Sequence, residues 1–306
     1  MQPRLWRHER RRTLFETMSD QQQTMKLTSV PEPEFCLFHS DCVAGMRQIQ
    51  DASVDVVVTS PPYNLGIDYS TYDDKQSRAE YLKWTLEWAS EVKRTLKPDG
   101  SFFLNVGAAP ANPMMPHEII LILGDFFVLQ NTIHWIKSIS IKTRAGETIS
   151  TGHFKPLNSK RYLTDCHEYI FHLTKTGTSQ LDRLAIGVPY ADKTNINRWA
   201  HSEGVDKRCR GNTWFIPYQT IKNRAGDRPH PATFPVELPL NCVRVHGNVS
   251  TTVMMDPFLG IGHSALAARE AGVQKFIGFE LDRGYIETAM TSLGLPLTEI
   301  KIPTAK

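Results

Sequence analysis

The run Thr59-Ser60-Pro61-Pro62-Tyr63-Asn64 groups the residue types best suited to chemistry on a flat, amino-bearing ring. Two consecutive prolines fix φ and carry no amide donor, so the loop is stiff and its carbonyls stay open to a partner. Ser60 Oγ, the Pro61 carbonyl and the Tyr63 ring then offer two acceptors for an exocyclic amine and a π-face for stacking. Taken alone, the same residues equally describe a turn that caps a strand. Far along the chain lies a second grouping, Gly260-x-Gly262-x-x-Ala265, with Glu280 18 residues after Gly262. The glycines let backbone approach a ligand, and an acid at that distance accepts hydrogen bonds from ribose hydroxyls. This pattern suits an adenosine-containing cofactor without separating a nicotinamide dinucleotide from S-adenosylmethionine.

Both groupings need a sheet edge to sit on. Residues 35–39 read as a strand, 43–49 as a short helix, and Val54-Asp55-Val56-Val57-Val58 as a buried strand running into Thr59. Tyr81, Leu82, Thr85, Leu86, Ala89, Val92 and Leu96 mark one face of a helix that Lys97-Pro98-Asp99-Gly100 stops. A strand is predicted over 101–106, a helix over 117–127, and strands over 132–136 and 167–173. In the last third, a helix opens near 234–240, followed by a strand over 251–255, the glycine turn 256–262, a helix over 263–271, a strand over 276–279 and a helix near 283–291. Each end of the chain is therefore β-α-β, and the two ends can share one parallel sheet. Trp84 and Trp88, four apart, read as a packing ridge.

Composition narrows the classes further. The 306 residues are 41% hydrophobic and 22% charged, ordinary for a globular α/β chain and unlike a rod or a wholly disordered segment. No apolar run approaches the eighteen or so residues of a membrane span, so a cytoplasmic protein is expected, nucleoid-associated if bacterial. Five cysteines without a C-x-x-C pair suggest neither a disulfide framework nor a zinc ribbon, and no metal is expected. Net charge is +3, but residues 131–230 hold 16 Lys and Arg against 8 Asp and Glu, a net of +8. A basic block of this kind fits a polyanion, or simply a solvated surface. The expected organisation is a basic, poorly ordered tail over 1–33, a catalytic half over 34–137, an insertion over 138–227 and a cofactor-binding half over 228–306.

These residues resemble a known family, the amino-group DNA methyltransferases that use S-adenosylmethionine and carry an (Asp/Asn/Ser)-Pro-Pro-(Tyr/Phe) motif. Thr-Ser-Pro-Pro-Tyr at 59–63 is the form most associated with the cytosine 4-amino group, whereas Asp in place of Ser60 is the usual adenine form. Asp256-Pro257-Phe258-Leu259-Gly260-Ile261-Gly262 looks like the family's cofactor motif, and Phe279-Glu280-Leu281-Asp282 like its ribose-binding motif. Asp41 is similar to the acid that pairs with the cofactor's adenine amine. Arg228-Pro-His230-Pro231-Ala232-Thr-Phe234-Pro resembles the segment under the methionine moiety. The catalytic loop precedes the cofactor glycines, as in the permuted beta group, whose insertion is the target-recognition region. The resemblance covers about residues 35–137 and 228–292. His263-Ser264 departs from the usual Thr or Ser pair, at a position that needs only to begin a helix.

The resemblance implies a Rossmann-like α/β methyltransferase fold with permuted motif order, acting on double-stranded DNA. Ser60, Pro61, Pro62 and Tyr63 would be catalytic; Asp41, His230, Pro231, Ala232, Phe234, Asp256, Pro257, Phe258, Gly260, Gly262 and Glu280 would hold S-adenosylmethionine. Lys155, Lys160, Arg161, Lys207, Arg208 and Arg210 are the candidate phosphate contacts in the basic block. The exocyclic amine is conjugated with its ring and a poor nucleophile, so its two N–H bonds must be accepted at Ser60 Oγ and the Pro61 carbonyl, with the base flipped out of the duplex onto Tyr63. The expected product is N4-methylcytosine, with adenine N6 methylation the alternative. A nicotinamide-dependent oxidoreductase and an inactive DNA-binding homologue are the rivals from other classes. A homodimer and a cognate restriction endonuclease are the protein partners such an enzyme allows. Asn64, Asp68 and Tyr69 stand where a loop can close over cofactor or base.

Overall fold

The computed structural model describes residues 32–67, 71–110, 112–152, 158–194, 196–198, 204–218 and 233–302. All of them fall in one compact unit that begins at Glu32, and the arginine-rich tail lies outside them. Among the described residues, ten strands, β1 (Glu34–His39), β2 (Val54–Thr59), β3 (Leu96–Val106), β4 (Val128–Ile136), β5 (Ser138–Lys142), β6 (Thr148–Gly152), β7 (His167–Thr174), β8 (Thr213–Phe215), β9 (Val253–Asp256) and β10 (Lys275–Glu280), alternate with six helices. The helices are α1 (Cys42–Met46), α2 (Arg78–Thr95), α3 (Met115–Leu123), α4 (Glu237–His246), α5 (His263–Ala271) and α6 (Arg283–Ser292). Eight strands form one sheet in the order β1-β10-β9-β2-β3-β7-β4-β8.

The two β-α-β ends do share this sheet. β1, β10, β9, β2 and β3 run parallel, so His39, Thr59, Asp256 and Glu280 all reach the same carboxyl edge. Opposite faces of the sheet are covered by different helices. Val56, Val58 and Phe103 pack with residues of α4, α5 and α6, while Val57, Phe102 and Leu104 pack with α2 and α3. Burial on both faces is why β2 reads as a nearly continuous apolar run rather than an alternating one. Val54 and Val57 share a face, and between Val54 and Val56 the pairing skips from Leu96 to Ser101 of β3. The capping box of Ser77 and Glu80 starts α2. Among the described residues, no helix is long and apolar enough to cross a membrane.

The stretch 138–227 expected as one insertion is not uniform. β7 lies antiparallel between β3 and β4 in the main sheet, and β8 extends the sheet beside β4. Weak periodicity around β7 conceals this, although its own Ile170, Phe171 and Leu173 are buried core. Apart from the main sheet, the regular structure among the described residues of this stretch is the β5–β6 hairpin, the short turn Ile196–Arg198 and an isolated bridge between Val188 and Arg208.

A polar chain crosses the core behind the site. Asn131 Nδ2 lies 3.0 Å from His172 Nδ1, His172 Nε2 lies 3.1 Å from Ser101 Oγ, and Ser101 Oγ lies 3.0 Å from His246 Nδ1. The amide must donate to Nδ1, so the network assigns the Nε2–H tautomer to His172 and makes Ser101 the donor to His246. Burial, helped by His246, pushes His172 down to about 4, and burial also lowers His246. Between that value and the ordinary imidazole range, the unfolded chain binds more protons than the folded one, so stability falls as pH drops through this window. Denaturant midpoints measured at neutral pH and near pH 5 are expected to differ in that direction, with His172 contributing on the order of 3 kcal/mol when the window is fully crossed.

Candidate functional site

The two sequence groupings meet through a buried carboxylate. Asp256 ends β9 with no solvent exposure. Its Oδ1 accepts hydrogen bonds from Thr59 Oγ1 at 2.5 Å and from the Phe258 amide at 2.9 Å, and its Oδ2 accepts one from Ser264 Oγ at 2.5 Å. The end of the catalytic strand, the start of the glycine turn and the first turn of α5 are thus held on one side chain. Burial raises Asp256 to about 6, against the lowering effect of the two hydroxyls.

The glycine turn is shaped by a second carboxylate. Glu280 Oε2 accepts from the Gly260 amide at 2.7 Å and Oε1 from the Asp282 amide at 2.8 Å. Burial pushes Glu280 up to about 7. Gly260 adopts a left-handed φ of 54° and faces the cavity described below. Gly262 has a different duty: a Cβ there would lie 2.8 Å from Ala289 Cβ, so its bareness lets α5 approach α6.

A cavity of about 480 Å³ opens at this edge. Ser60, Pro61, Pro62 and Tyr63 line it together with Asp41, Phe234, Pro257, Phe258, Gly260 and Glu280. Asp41 also caps α1 through the Ala44 amide. Asp256 and Gly262, expected as cofactor contacts, do not line the cavity; they hold the turn that does. His263 does more than begin a helix. Its Nδ1 lies 2.6 Å from the Phe234 carbonyl, which pins the segment around Phe234 beside the glycine turn. His230, Pro231 and Ala232 lie outside the described residues.

The far end of the cavity holds residues that sequence reasoning missed. Asn105, Gly107, Lys137 and Glu168 line it, brought there by β3, β4 and β7. Tyr63 Oη lies 2.6 Å from Ser60 Oγ, 3.1 Å from Glu168 Oε2 and 3.2 Å from the Asn105 carbonyl. Lys137 Nζ donates to Glu168 Oε1 at 3.0 Å. The only signal for Glu168 in the sequence is an acid at the start of an apolar strand. Trp84, read as a packing ridge, also lines the cavity, where it meets Phe258 edge-on at 5.5 Å.

The loop after the catalytic motif is tied down rather than open. Asp74, 2% exposed, accepts from the amides of Asn64, Leu65 and Ile67. The Asn64 side chain exchanges two hydrogen bonds with the backbone of Gln76, so it is spent on the loop. Asp68 and Tyr69 lie outside the described residues. Of the expected phosphate contacts, Lys160, Arg161 and Arg208 are exposed, Lys207 is half-buried, and none lines the cavity. Arg210 donates from Nε to the Ile186 carbonyl at 3.1 Å and lies 3.9 Å from Glu237. Lys155 lies outside the described residues.

Comparison with known proteins agrees with this geometry. The family model described as DNA methylase matches residues 54–291. The chain belongs to that family. It is a beta-group amino-methyltransferase whose cofactor is S-adenosylmethionine, and the nicotinamide reading falls away. The type II methyltransferase M.HpaI of Haemophilus parainfluenzae is 26% identical over 258 residues, covering 84% of this chain and 73% of the relative. The fold matches that of the PvuII DNA methyltransferase, whose structure is described as cytosine-N4-specific. That match has a TM-score of 0.60 at 20% identity, over 84% of this chain and 87% of the other. It also matches a putative DNA modification methylase of Thermus thermophilus complexed with S-adenosyl-L-methionine, TM-score 0.56 at 22% identity, over 89% of this chain and 100% of the other.

Replacing Asp256 by Asn keeps the shape but turns one of its two acceptor oxygens into a donor; with Oδ1 kept for Thr59 and Phe258, that donor faces Ser264 Oγ. Orphaning one of these buried groups is expected to cost about 1 to 3 kcal/mol in urea unfolding, and to weaken cofactor binding in parallel because loop and turn lose their common tie.

Proposed function

We propose that the protein is a site-specific DNA (cytosine-N4-)-methyltransferase that flips its target base into the cavity. The observation that carries this reading is that Ser60 to Tyr63 and the Gly260–Glu280 cradle open on one cavity. S-adenosylmethionine supplies a methyl group activated by its positive sulfur. The residues present fit that molecule: Glu280 keeps a lone pair on each oxygen for ribose hydroxyls, Phe258 offers a ring, and Asp41 an acceptor for the adenine amine. Phe234, pinned by His263, would flank the methionine end.

On the other side of the loop, Ser60 Oγ and the Pro61 carbonyl would accept the two amine hydrogens and turn the nitrogen lone pair toward the methyl group. Tyr63 would stack the flipped base. Cytosine is favoured because Lys137 stands beyond the loop, where N–H donors suit the N3 and O2 acceptors of that base; adenine offers one acceptor and a C–H on the corresponding edge. Lys160, Arg161, Lys207 and Arg208 would supply phosphate contacts from outside the cavity, and Lys155 is proposed as a further one.

Digestion of DNA methylated by the purified protein, followed by mass spectrometry of the nucleosides, is expected to show N4-methylcytosine; N6-methyladenine in its place would overturn the base assignment, and no transfer to any DNA would leave an inactive DNA-binding homologue. Relative to Tyr63→Phe, which keeps the ring, Tyr63→Ala should lose about a further 1 to 3 kcal/mol of stacking, read as a roughly 5- to 150-fold additional drop in turnover on DNA. Cofactor affinity should also depend on pH. Glu280, raised to about 7, accepts ribose hydroxyls best as a carboxylate, so calorimetric affinity is expected to weaken several-fold as pH falls from about 8 to about 6. In Glu280→Gln that dependence should flatten.

A further inference from the structure

We infer that Ser60, Tyr63 and Glu168 form a hydroxyl relay that points the lone pairs of Ser60 at the target amine and carries the proton released by methyl transfer to Glu168. The inference rests on the amino-methyl-transfer reading above and assigns Glu168 a role as a positioning and proton-accepting residue.

The direction of the relay follows from what each atom can donate. Of the three oxygens of described residues within hydrogen-bond distance of Tyr63 Oη, the Asn105 carbonyl and the Glu168 carboxylate only accept. The single phenol proton is therefore spent on that side, and the 2.6 Å bond between Ser60 Oγ and Tyr63 Oη must be donated by Ser60. With its proton so committed, Ser60 shows the cavity lone pairs alone, which is what an amine N–H requires. Were the bond reversed, Ser60 would present its proton to the amine lone pair and block attack.

The surroundings are arranged on the carboxylate. Asn105 Nδ2 donates to Glu168 Oε2 at 3.0 Å and to the Tyr169 carbonyl at 3.1 Å. Its own Oδ1 is buried without a hydrogen-bond partner among the described residues, so the amide is oriented to serve Glu168 at its own expense. Lys137 pairs with the other carboxylate oxygen at 3.0 Å. Gly107 leaves the room: a Cβ there would lie 2.9 Å from Tyr63 Cε2 and 3.2 Å from Glu168 Cδ.

The chemistry balances without an added reactant. As the amine nitrogen bonds to the methyl carbon, the carbon–sulfur pair stays on sulfur and the nitrogen is left cationic with one proton too many. That proton passes to Ser60 Oγ, the Ser60 proton to Tyr63 Oη, and the Tyr63 proton to Glu168 Oε2. The result is a neutral methylated amine, two unchanged hydroxyls and a protonated Glu168, whose side chain reaches the cavity and can return the proton to water. A serine hydroxyl alone has no capacity to keep the proton; a carboxylate at the end of the chain does.

The test uses the full-length protein with E168Q, E168D, Y63F and the Y63F/E168Q double variant. Single-turnover methyl transfer, cofactor affinity and fluorine NMR spectra of fluorotyrosine-labelled protein are measured on each. E168Q and Y63F are each expected to slow transfer by about 100-fold with cofactor affinity unchanged, and E168D to recover part of the loss. The double variant should be no slower than the slower single one, because both changes cut one chain. The fluorotyrosine resonance missing from Y63F should shift between the wild type and E168Q, where an amide replaces the carboxylate that faces the Tyr63 hydroxyl. Transfer by E168Q within about threefold of wild type, losses that multiply in the double variant, or a Tyr63 resonance indifferent to Glu168 would each overturn the relay. Wild-type transfer to adenine would revise the base while leaving these ratios decisive. A wild type that methylates no DNA would end both the reading and the relay.

Discussion

Three hydrogen bonds to a carboxylate shut away from water set the geometry on which the site depends. Asp256 collects the hydroxyls of Thr59 and Ser264 and the amide of Phe258, tying the end of β2, the glycine turn and the start of α5 together. In a low-dielectric interior, such bonds are strong when made and expensive when left unmade, so the three segments have little freedom to part. Ser60 is the next residue beyond Thr59, and the two prolines after it carry the constraint forward without slack. The cofactor turn begins one residue beyond Asp256 itself. The distance between the two halves of the site is thus set by one side chain at the junction of β2 and β9.

Carboxylates of one chemical kind take three roles here because their surroundings differ. Asp256 sees no solvent and only ties. Glu280, at the cavity wall, shapes the glycine turn through two backbone amides and retains lone pairs for a ligand. Glu168, paired with Lys137, holds Tyr63 by its hydroxyl. The glycines divide in the same way. Gly260 brings bare backbone to the cavity wall, Gly262 gives α6 access to α5, and Gly107 gives Tyr63 access to Glu168.

Much of this is legible along the chain. The β-α-β pattern at each end, the paired prolines and the Gly260, Gly262 and Glu280 spacing are local signals, and each element they announce is present. Boundaries move where pairing partners decide them: β3 begins at Leu96 because that residue pairs with Val54 of β2. β7 reads as a strand in the sequence yet falls within the expected insertion, since nothing local says that a strand following a basic hairpin returns to the middle of the sheet. Lys137, Asn105 and Glu168 escape notice for the same reason. Each is an ordinary polar residue near the end of its own strand and becomes part of a site only beside the other two.

Residue type and spacing alone determined which chemistry this protein has the means to attempt: a rigid loop with acceptors, a turn bare enough for a nucleotide, an acid to hold the sugar. Those properties are carried by backbone stiffness and side-chain functional groups, which need no neighbour to exist. Which of these groups face the cavity, which ones serve only to hold it, and which hydroxyl gives its proton to which were decided by the tertiary structure. Direction in a hydrogen-bonded chain depends on the atoms at its far end, and those arrive from strands that only folding brings together.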